Sequence, residues 1–428
     1  MLACCILLTG LLLQAADSYA SLCQQAAELS KQHDYQGAIV KYQAALAIRP
    51  GAPEASNNLA VMLYQVGRFS EALALSSGLW RAHPEVKSAA LIAGMAAVQC
   101  NRPREAIEPL ESLLAADPSN RDALLALASA YFGLKDLPKA AAVYERELQA
   151  YPNDVKAWYG AAICYESLAE DASRALAKMP GGVQYSKRLL ADYLQSIGDP
   201  KMAAEAFGES SETSVESPEA ARQYERAREV AEKSRRAFEQ MVNLSPGSWQ
   251  AELFLGDAAR QRGDFNAAIA HYEAAAKQQP ENPAPQLGLG TAYWELGDFE
   301  KATVYLQRTL HLKPGSRQAV FELANIDVRQ HRDAQAIPLL QKYLVSQPDA
   351  LAAHADLGRA YFHLKQFADA APELAKAAEI DTTGDIHYQL SVSLRNLGRA
   401  KEADEALRKS VSIREQQLKR SQRLHEGR

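Results

Sequence analysis

The sequence is organised around a proline that returns every 34 residues. Two sets of four prolines keep this spacing: Pro50, Pro84, Pro118 and Pro152, and then Pro246, Pro280, Pro314 and Pro348. A period of this length is typical of helical solenoids, whose units bury their apolar faces only by stacking on their neighbours. The pattern therefore predicts an array of similar units, with function on an extended surface.

Other residue types follow the same period, which separates a true repeat from chance spacing. A small residue stands twelve positions before each proline: Ala38, Ala72, Ala106, Ala140, Ser234, Ala268, Ala302 and Ala336. A bulky residue stands eight positions before most of them, with Ser76 as the exception: Tyr42, Leu110, Tyr144, Phe238, Tyr272, Leu306 and Leu340. Glycines such as Gly67 and Gly297 fall where one helix must end, because glycine accepts left-handed dihedral angles at little cost. Each unit is therefore predicted to be helix, turn, helix.

These offsets resemble the tetratricopeptide repeat. The segment Leu289–Phe299, LGTAYWELGDF, is close to the family pattern, and so is the segment Leu357–Tyr361, LGRAY. The resemblance extends from about Tyr19 to Ile413. It implies an all-α fold, an α-solenoid in which about ten to eleven antiparallel helix pairs form one long domain with a right-handed superhelix.

The phase of the repeat divides the chain into five segments. We predict a signal peptide over residues 1–20, N-terminal repeats over 21–152, irregular repeats with long helices and a Ser/Glu-rich loop over 153–246, C-terminal repeats over 247–413, and a basic capping helix or tail over 414–428.

The first residues differ in kind from the rest. The run Leu2–Leu13 is almost wholly apolar, which suits the central region of a secretory signal peptide and is too short for a membrane span of roughly 20 residues. Cleavage after Ala16 or Ala20 would give a periplasmic or secreted protein, although no Lys or Arg precedes the apolar run. A hydrophobic first helix that caps the array, or lipid attachment through Cys4 or Cys5, are the alternatives.

The spacing breaks between the two proline sets. The step from Pro152 to Pro246 is 94 residues, which is not a multiple of 34. The residues here predict one long helix from Val155 to the Pro180-Gly181-Gly182 stop and a second long helix over Glu219–Leu244. Between the two helices they predict a Ser/Glu-rich surface loop over Glu209–Pro218. A further repeat copy is predicted before this loop, with Leu190, Ala191, Gly198, Asp199, Ala203 and Phe207. The departure is either a partner-specific feature or a neutral insertion.

The C-terminal end also departs from the pattern. Thr382 replaces the expected proline, and the next copy is one residue out of phase. The last helix is predicted to run on through Arg423. A polar helix of this kind covers the exposed end of an array, and its basic charge suits the negative end of the helix dipole. We therefore interpret it as a cap rather than a binding element.

The charge, the cysteines and the motifs of the sequence give no indication of nucleic-acid binding, disulfide bonding or catalysis. The net charge of −5 is small for 428 residues, and both signs are interspersed, so nothing indicates a nucleic-acid surface. Cys23, Cys100 and Cys164 are scattered over different repeats and are not a disulfide framework. Phosphate loops, His-Glu-x-x-His, Gly-x-Ser-x-Gly and Cys-x-x-Cys are absent from the sequence. We therefore expect that the protein is not an enzyme and has no cofactor. An enzyme with an unrecognised active site around Gly181–Pro218 is a further hypothesis.

Three histidines need a separate check for metal binding. His354 and His387 occupy near-equivalent places in consecutive repeats, and His363 is nearby in sequence. Three imidazoles could in principle gather around one ion. The repeat places the first two where a large residue usually packs, and no carboxylate or cysteine is evidently spaced to complete a site. Ordinary packing or partial exposure is the favoured interpretation, and no metal site is predicted.

The resemblance also implies where a ligand would lie, because the first helix of each pair lines the inner groove in this family. The predicted groove residues are Asn57, Val61, Tyr64, Met95, Phe132, Tyr159, Asp257, Arg260, Trp294, Phe321, Asn325, Arg359, Phe362, Tyr388 and Arg395. Aromatic residues and arginine dominate the binding energy of protein interfaces. The basic clamp with which some family members hold a carboxyl terminus is not evident, since only the asparagine agrees among Phe321, Asn325 and Asp356.

These observations give one leading function and one alternative. The leading hypothesis is a non-enzymatic scaffold, exported to the cell envelope, that binds protein or peptide partners in its concave groove and has no stable membrane span after signal cleavage. The alternative is a polysaccharide- or peptidoglycan-binding component of an envelope machine, because aromatic residues with polar neighbours also stack on sugars.

Overall fold

The computed structural model describes residues 18–196, 203–204 and 217–426. Within these ranges the secondary structure is helix with short connections, and there is no strand. The predicted all-α repeat array is confirmed. The chain forms two compact units, residues 1–246 and 247–428, whose boundary falls at the proline where the 34-residue spacing restarts.

The first unit contains eleven helices among the residues described. They are α1 (residues 18–31), α2 (Tyr35–Ile48), α3 (Pro53–Gln65), α4 (Phe69–Ala82), α5 (Lys87–Gln99), α6 (Pro103–Ala116), α7 (Arg121–Gly133), α8 (Leu137–Ala150), α9 (Val155–Ala177), α10 (Gly182–Ser196) and α11 (Pro218–Leu244).

The second unit contains ten helices in its described part, arranged as five consecutive pairs. They are α12 (Trp249–Gln261), α13 (Phe265–Gln278), α14 (Pro283–Leu296), α15 (Phe299–Leu312), α16 (Arg317–Arg329), α17 (Asp333–Ser346), α18 (Leu351–His363), α19 (Phe367–Ala377), α20 (Asp385–Asn396) and α21 (Ala400–Glu426). One 3₁₀ turn, Ala378–Ile380, follows α19.

Local chemistry explains why each pair turns where it does. The residue that precedes the N-cap of the second helix takes the left-handed conformation, as predicted for Gly67 and Gly297, with φ of 79° and 80°. The next residue is an aspartate in several repeats, and its side chain accepts a hydrogen bond from a free amide of the second helix, as Asp264 does from Ala267. A left-handed residue followed by an N-cap therefore ends one helix and starts the next.

The break in the spacing is one repeat with an insertion. Helices α9 and α11 pack against each other as a pair, but they are 23 and 27 residues long, whereas α8 has 14. Helix α10 packs on the extended ends of both, where Leu176 and Tyr224 are buried. The long helices predicted from Val155 and Glu219 are confirmed. Most of the predicted Ser/Glu-rich loop over Glu209–Pro218 lies outside the described residues, and so do Gly198, Asp199 and Phe207 of the predicted repeat copy.

The predicted extension at the carboxyl end is also found, since α21 runs from Ala400 to Glu426. The predicted signal segment lies outside the described residues, except that residues 18–20 belong to α1. The handedness of the array stays a prediction.

Packing between helices follows the small and large positions of the repeat. In several repeats a bulky residue of the second helix lies against a glycine of a neighbouring first helix, as Leu110 does against Gly94 and Leu306 against Gly290. Tyr272 of α13 is the clearest case, because its fully buried ring lies between Gly256 of α12 and Gly288 of α14. Its hydroxyl donates to Asp257 at 2.6 Å. The ring is thus held on both faces and at its tip.

We predict that Gly288→Ala destabilises the second unit by about 1–3 kcal/mol, the usual cost of overpacking a core. A methyl group at this position would lie 2.6 Å from Cε1 of Tyr272, and the ring cannot move away because Gly256 and Asp257 hold its other side. Urea unfolding followed by circular dichroism measures the loss.

Gly78→Ala is the matched control, since Gly78 is inside α4 and no side-chain or tertiary atom lies within 4 Å of the added methyl position. It should raise stability by up to about 1 kcal/mol, the helix-propensity gain of alanine over glycine. Equal effects of the two substitutions would contradict the account of this packing.

Candidate binding cleft

One cleft in the second unit brings together four of the predicted groove residues. It has a volume of about 350 Å³ and opens between the first helices α14, α16 and α18 and the segment that precedes α20. Trp294, Phe321, Asn325 and Arg359 line it, as do ten further residues: Arg329, Ala352, Ala355, Asp356, Ile380, Asp381, Thr382, Thr383, Asp385 and Ile386. The volume is at the low end of the range for ligand pockets, and suits one or two anchoring side chains.

A chain of hydrogen bonds forms the floor of the cleft. The indole Nε1 of Trp294 donates to Oδ1 of Asn325 at 3.0 Å, and Nδ2 of Asn325 donates to Oδ2 of Asp356 at 2.6 Å. Arg359 donates to the other carboxylate oxygen at 2.7 Å. Successive partners in the first two bonds are 31 residues apart, so the chain runs across three consecutive repeats. Asn325 is only 8% exposed, and its role is to link its neighbours.

Burial governs the electrostatics of this floor. It raises the pKa of Asp356, although the hydrogen bond from Asn325 and the guanidinium groups of Arg359 and Arg329 act in the opposite direction. Asp356 is therefore a buried acceptor that orients the polar groups around it. The sequence considered this residue only as part of a carboxylate clamp, which it does not match.

Arg329 is the most available cation of the cleft. Its Nε donates to Oδ1 of Asn325 at 2.9 Å, and its guanidinium carbon lies 5.8 Å from the centre of the Trp294 ring. The residue is exposed, and it forms no ion pair with a carboxylate in the described part of the chain. Its charge is thus held in place by a neutral amide and an aromatic face, which leaves it free to meet an anion.

The segment from Ile380 to Ile386 forms one wall, and Asp381 fixes its shape. The carboxylate accepts hydrogen bonds from the backbone N–H groups of Gly384 and His387, at 2.7 and 2.8 Å, and from Nδ1 of His387 at 2.8 Å. Burial acts to raise the pKa of Asp381, but these hydrogen bonds hold it below its usual range. This wall stands where Thr382 replaces the repeat proline.

Other polar groups on the first helices of this unit are occupied by one another. Asp257 accepts from Tyr272, and Arg260 forms an ion pair with Glu295 at 3.2 Å. Burial raises the pKa of Asp257. These two predicted groove residues therefore have partners within the protein, and sequence reasoning could not show this because the partners come from other helices.

The remaining predicted groove residues do not line this cleft. Arg395 donates to Asp404 of α21 at 2.6 Å, and the guanidinium of Arg414 lies 5.6 Å from the Tyr388 ring centre, so both predicted residues contact the last helix. Phe362 packs beside Phe367. In the first unit, Phe132 is exposed and the others are half-buried: Asn57, Val61, Tyr64, Met95 and Tyr159.

A second cleft, of about 410 Å³, lies in the first unit between α6, α7 and α8. Its polar groups already bind each other, since Tyr131 donates to Glu111 at 2.6 Å and Lys139 lies 5.2 Å from the centre of the Tyr131 ring. None of the predicted groove residues lines it. The cleft of the second unit is the stronger candidate.

The three histidines considered from the sequence have different partners. His354 contacts Glu373 and the carbonyl of Pro348, His387 contacts Asp381, and His363 contacts Asp333. His354 and His387 are buried, in keeping with the packing predicted from their repeat position, but their carboxylate partners were not predicted.

The cysteines show no pairing among the residues described. Cys23, Cys100 and Cys164 are free thiols, and burial raises the pKa of Cys164 to about 12. A buried thiol of this kind behaves as a small apolar side chain. Cys4 and Cys5 lie outside the described residues.

One carboxylate outside the cleft is strongly perturbed. Glu147 of α8 is 0% exposed, and neither of its oxygens receives a hydrogen bond. Burial, followed by the neighbouring Asp154, raises the pKa of Glu147 to about 8. Arg121 opposes this only weakly, because its guanidinium lies 3.9 Å from Glu147 and pairs with Asp154. Glu147 lines neither of the two clefts.

Comparison with protein-family models identifies the repeat. Three models, each described as tetratricopeptide repeat, match the chain: one at residues 29–96 and 259–324, a second at 91–155, 216–283 and 321–386, and a third at 384–417. The chain belongs to the tetratricopeptide repeat family. The resemblance predicted from Leu289–Phe299 and the proline period is confirmed.

Curated relatives are subunits of larger assemblies. The chain is 25% identical over 171 residues to anaphase-promoting complex subunit 3 of Schizosaccharomyces pombe, covering 40% of this chain and 25% of that protein. It is 24% identical over 280 residues to anaphase-promoting complex subunit CDC16 of Saccharomyces cerevisiae, covering 64% and 30%. The chain thus spans about a quarter to a third of the length of these relatives.

Solved structures of tetratricopeptide repeat proteins are also similar. A tetratricopeptide repeat protein of Parabacteroides merdae has a TM-score of 0.49 at 14% identity, covering 72% of this chain and 99% of that one. MamA of Desulfovibrio magneticus has a TM-score of 0.37 at 21% identity, covering 40% and 98%.

The helices were also compared with the requirements of a membrane span. In the parts of the chain that are described, none combines the length and the apolar character that crossing a bilayer requires.

We predict that Glu147 makes the first unit less stable as the pH rises from about 5 to 8. The folded state keeps a proton on Glu147 up to about pH 8, whereas the unfolded chain releases it near 4.5, so raising the pH favours unfolding across this window. Glu147→Gln keeps the shape of the side chain and removes its ionisable group, so the free energy of unfolding of this variant should fall less as the pH rises. Urea unfolding at several pH values measures it.

Glu108→Gln is the control, because Glu108 is an exposed carboxylate on α6 of the same unit. It should leave the pH dependence as in the wild type. A wild-type stability that rises between pH 5 and 8, or an unchanged slope in Glu147→Gln, would show that the burial of Glu147 has no such effect.

Proposed function

We propose that this protein is a non-catalytic scaffold whose second unit holds a segment of a protein partner in the cleft formed by α14, α16, α18 and the 380–386 segment. The observation that carries the proposal is the convergence of Trp294, Phe321, Arg329 and Arg359 on one open cleft of about 350 Å³. Aromatic residues and arginine at the centre of a concave surface are the usual energetic anchors of protein recognition.

The chemistry of the cleft specifies the kind of segment. Phe321 and the Trp294 ring supply an apolar contact surface, and both are half-buried rather than enclosed. Arg329 stands beside that surface without a carboxylate partner in the described chain, while Arg359 is already paired with Asp356 at 2.7 Å. A partner segment with one large apolar side chain and a nearby Asp or Glu would satisfy both features. The charge-assisted contact would be stronger than a neutral one.

The rigidity of the floor favours specific binding. Trp294, Asn325, Asp356 and Arg359 fix one another's side chains before any ligand arrives, through the hydrogen bonds described above. Less conformational entropy is then lost when a partner binds. Relatives that are subunits of the anaphase-promoting complex, and a further one named as a BBSome complex member, support a role in protein assembly.

Export is a further part of the proposal and has a separate basis. It rests on the apolar run at residues 2–13, which lies outside the described residues. Mass spectrometry of the mature N-terminus tests it without reference to the cleft.

The binding proposal is tested by selecting random peptides on the purified full chain and measuring the affinity of an enriched peptide by fluorescence anisotropy. We expect sequences that combine a large apolar residue with Asp or Glu. Arg329→Glu should weaken binding at least tenfold, which corresponds to about 1.4 kcal/mol, because it places a carboxylate where the partner's acid would lie.

Arg308→Glu is the matched control, since Arg308 is an arginine of α15 in the same unit that pairs with Glu281 outside the cleft. It should leave the affinity unchanged, and both variants should keep the wild-type helical spectrum. Failure to enrich any peptide, or equal affinities for the two variants, would refute the cleft as a protein-binding site. Displacement of the peptide by soluble peptidoglycan fragments would favour the glycan alternative instead.

A further inference from the structure

One position of the repeat carries a charge where the other repeats carry an apolar residue. The first residue of the second helix is apolar or aromatic in seven other repeats: Tyr35, Phe69, Pro103, Leu137, Phe265, Phe299 and Phe367. In the repeat formed by α16 and α17 it is Asp333. Since the repeat pattern favours an apolar side chain here, the aspartate calls for its own explanation.

Asp333 is buried rather than turned towards solvent. The residue is 4% exposed, and its side chain does not cap α17, since the N-cap of that helix is Arg332 and makes no side-chain cap hydrogen bond. Its carboxylate instead faces the next repeat, where Oδ1 lies 3.0 Å from Nδ1 of His363 at the end of α18. A buried carboxylate is costly unless it is paired with a hydrogen-bond donor, a cation or a metal ion.

A second imidazole, that of His331, lies near Asp333 and His363. His331 is the left-handed residue of the turn between α16 and α17, with φ of 57°, and its ring centre lies 4.9 Å from that of His363. One donor atom from each of His331, Asp333 and His363 lies within 4.8 Å of the other two. Among the residues described, this is the group of three His, Cys, Asp or Glu side chains with such spacing.

The donor set determines which ion would fit. Two imidazoles and one carboxylate suit zinc and related divalent transition metals, whereas magnesium and calcium prefer oxygen donors. Zinc binds these donors at about 2.0–2.2 Å, which places neighbouring ligands of a tetrahedral ion roughly 3.3 Å apart. The pair Asp333 and His363 already has nearly this spacing at 3.0 Å. The donor atom of the exposed His331 lies within 4.8 Å of the other two, so it needs to approach them by at most about 1.5 Å.

The surrounding charges allow an ion at this point. Arg332 is adjacent in sequence, but its guanidinium forms an ion pair with Asp327 at 2.6 Å. An Asp–His pair alone would account for Asp333 and His363. It would leave His331 without a role. A metal ion would use both imidazoles, because neutral imidazole nitrogens bind a metal ion together with a carboxylate.

We propose that His331, Asp333 and His363 form a zinc-binding site that joins two consecutive repeats of the second unit. The three ligands come from the turn before α17, its first residue and the last turn of α18, and the fourth coordination position is left to water or to a group of a partner. The site lies outside the cleft, since none of the three residues lines it.

The test is isothermal titration of the metal-stripped full chain with Zn²⁺, with the visible absorption of bound Co²⁺ as a report on imidazole and carboxylate coordination. We expect one equivalent bound and a rise in melting temperature on zinc addition. His363→Ala and Asp333→Phe should each weaken zinc binding more than tenfold. Asp333→Phe restores the residue type of the other repeats, so it should fold and melt normally without metal and show no zinc-dependent rise.

His271→Ala is the control, because His271 pairs with Glu252 at 2.7 Å in the same unit but does not belong to the group of three possible metal ligands. It should bind zinc as the wild type does. Absence of a stoichiometric zinc site in the wild type would overturn the proposal. So would zinc affinity in His363→Ala or Asp333→Phe equal to that of His271→Ala.

Discussion

The structure depends on contacts between large side chains of the second helices and small residues of the first helices beside them. The Tyr272 ring between Gly256 and Gly288 shows this contact most clearly. A similar arrangement holds for Tyr144, against which a methyl group at Gly160 would clash. Because each contact joins only neighbouring repeats, stability accumulates along the array rather than in one central core. The same locality explains how α9 and α11 lengthen and carry α10 while the repeats before them keep their form.

This stacking also sets the geometry of the candidate cleft. It brings residues of successive first helices to a constant separation, so that side chains 31 residues apart meet, as Trp294 meets Asn325 and Asn325 meets Asp356. A polar ladder built in this way is already ordered, and it holds Arg329 beside an aromatic surface. The candidate cleft therefore arises from the same repeat that determines the fold. The His331, Asp333 and His363 group uses the neighbouring repeats in another way, by joining a turn to the end of the next first helix.

Most of the fold could be predicted from the sequence, because the period of 34 and the turn residues are local signals. The left-handed turn at Gly67 and the long helices from Val155 and Pro218 follow from such signals. Four residues that line the candidate cleft were among the groove residues predicted from the first-helix rows: Trp294, Phe321, Asn325 and Arg359. That they bind a partner stays a prediction. The rows could not show that Asp257 and Arg260 bind within the protein, since side-chain partners on other helices leave no periodic trace. Arg329 was not among the predicted groove residues, and the 380–386 wall arises where Thr382 breaks the pattern. Asp333 did leave a signal, as a charge at an apolar repeat position.

Native-state hydrogen exchange of the Tyr272→Ala variant tests the central claim most directly. Removing the ring empties the contact between α12, α13 and α14 and leaves every other repeat contact in place. The account predicts a loss of amide protection in these three helices and progressively smaller losses towards α21, with α2 to α8 unchanged. An equal loss of protection across all the described helices, or none at α12 and α14, would contradict it.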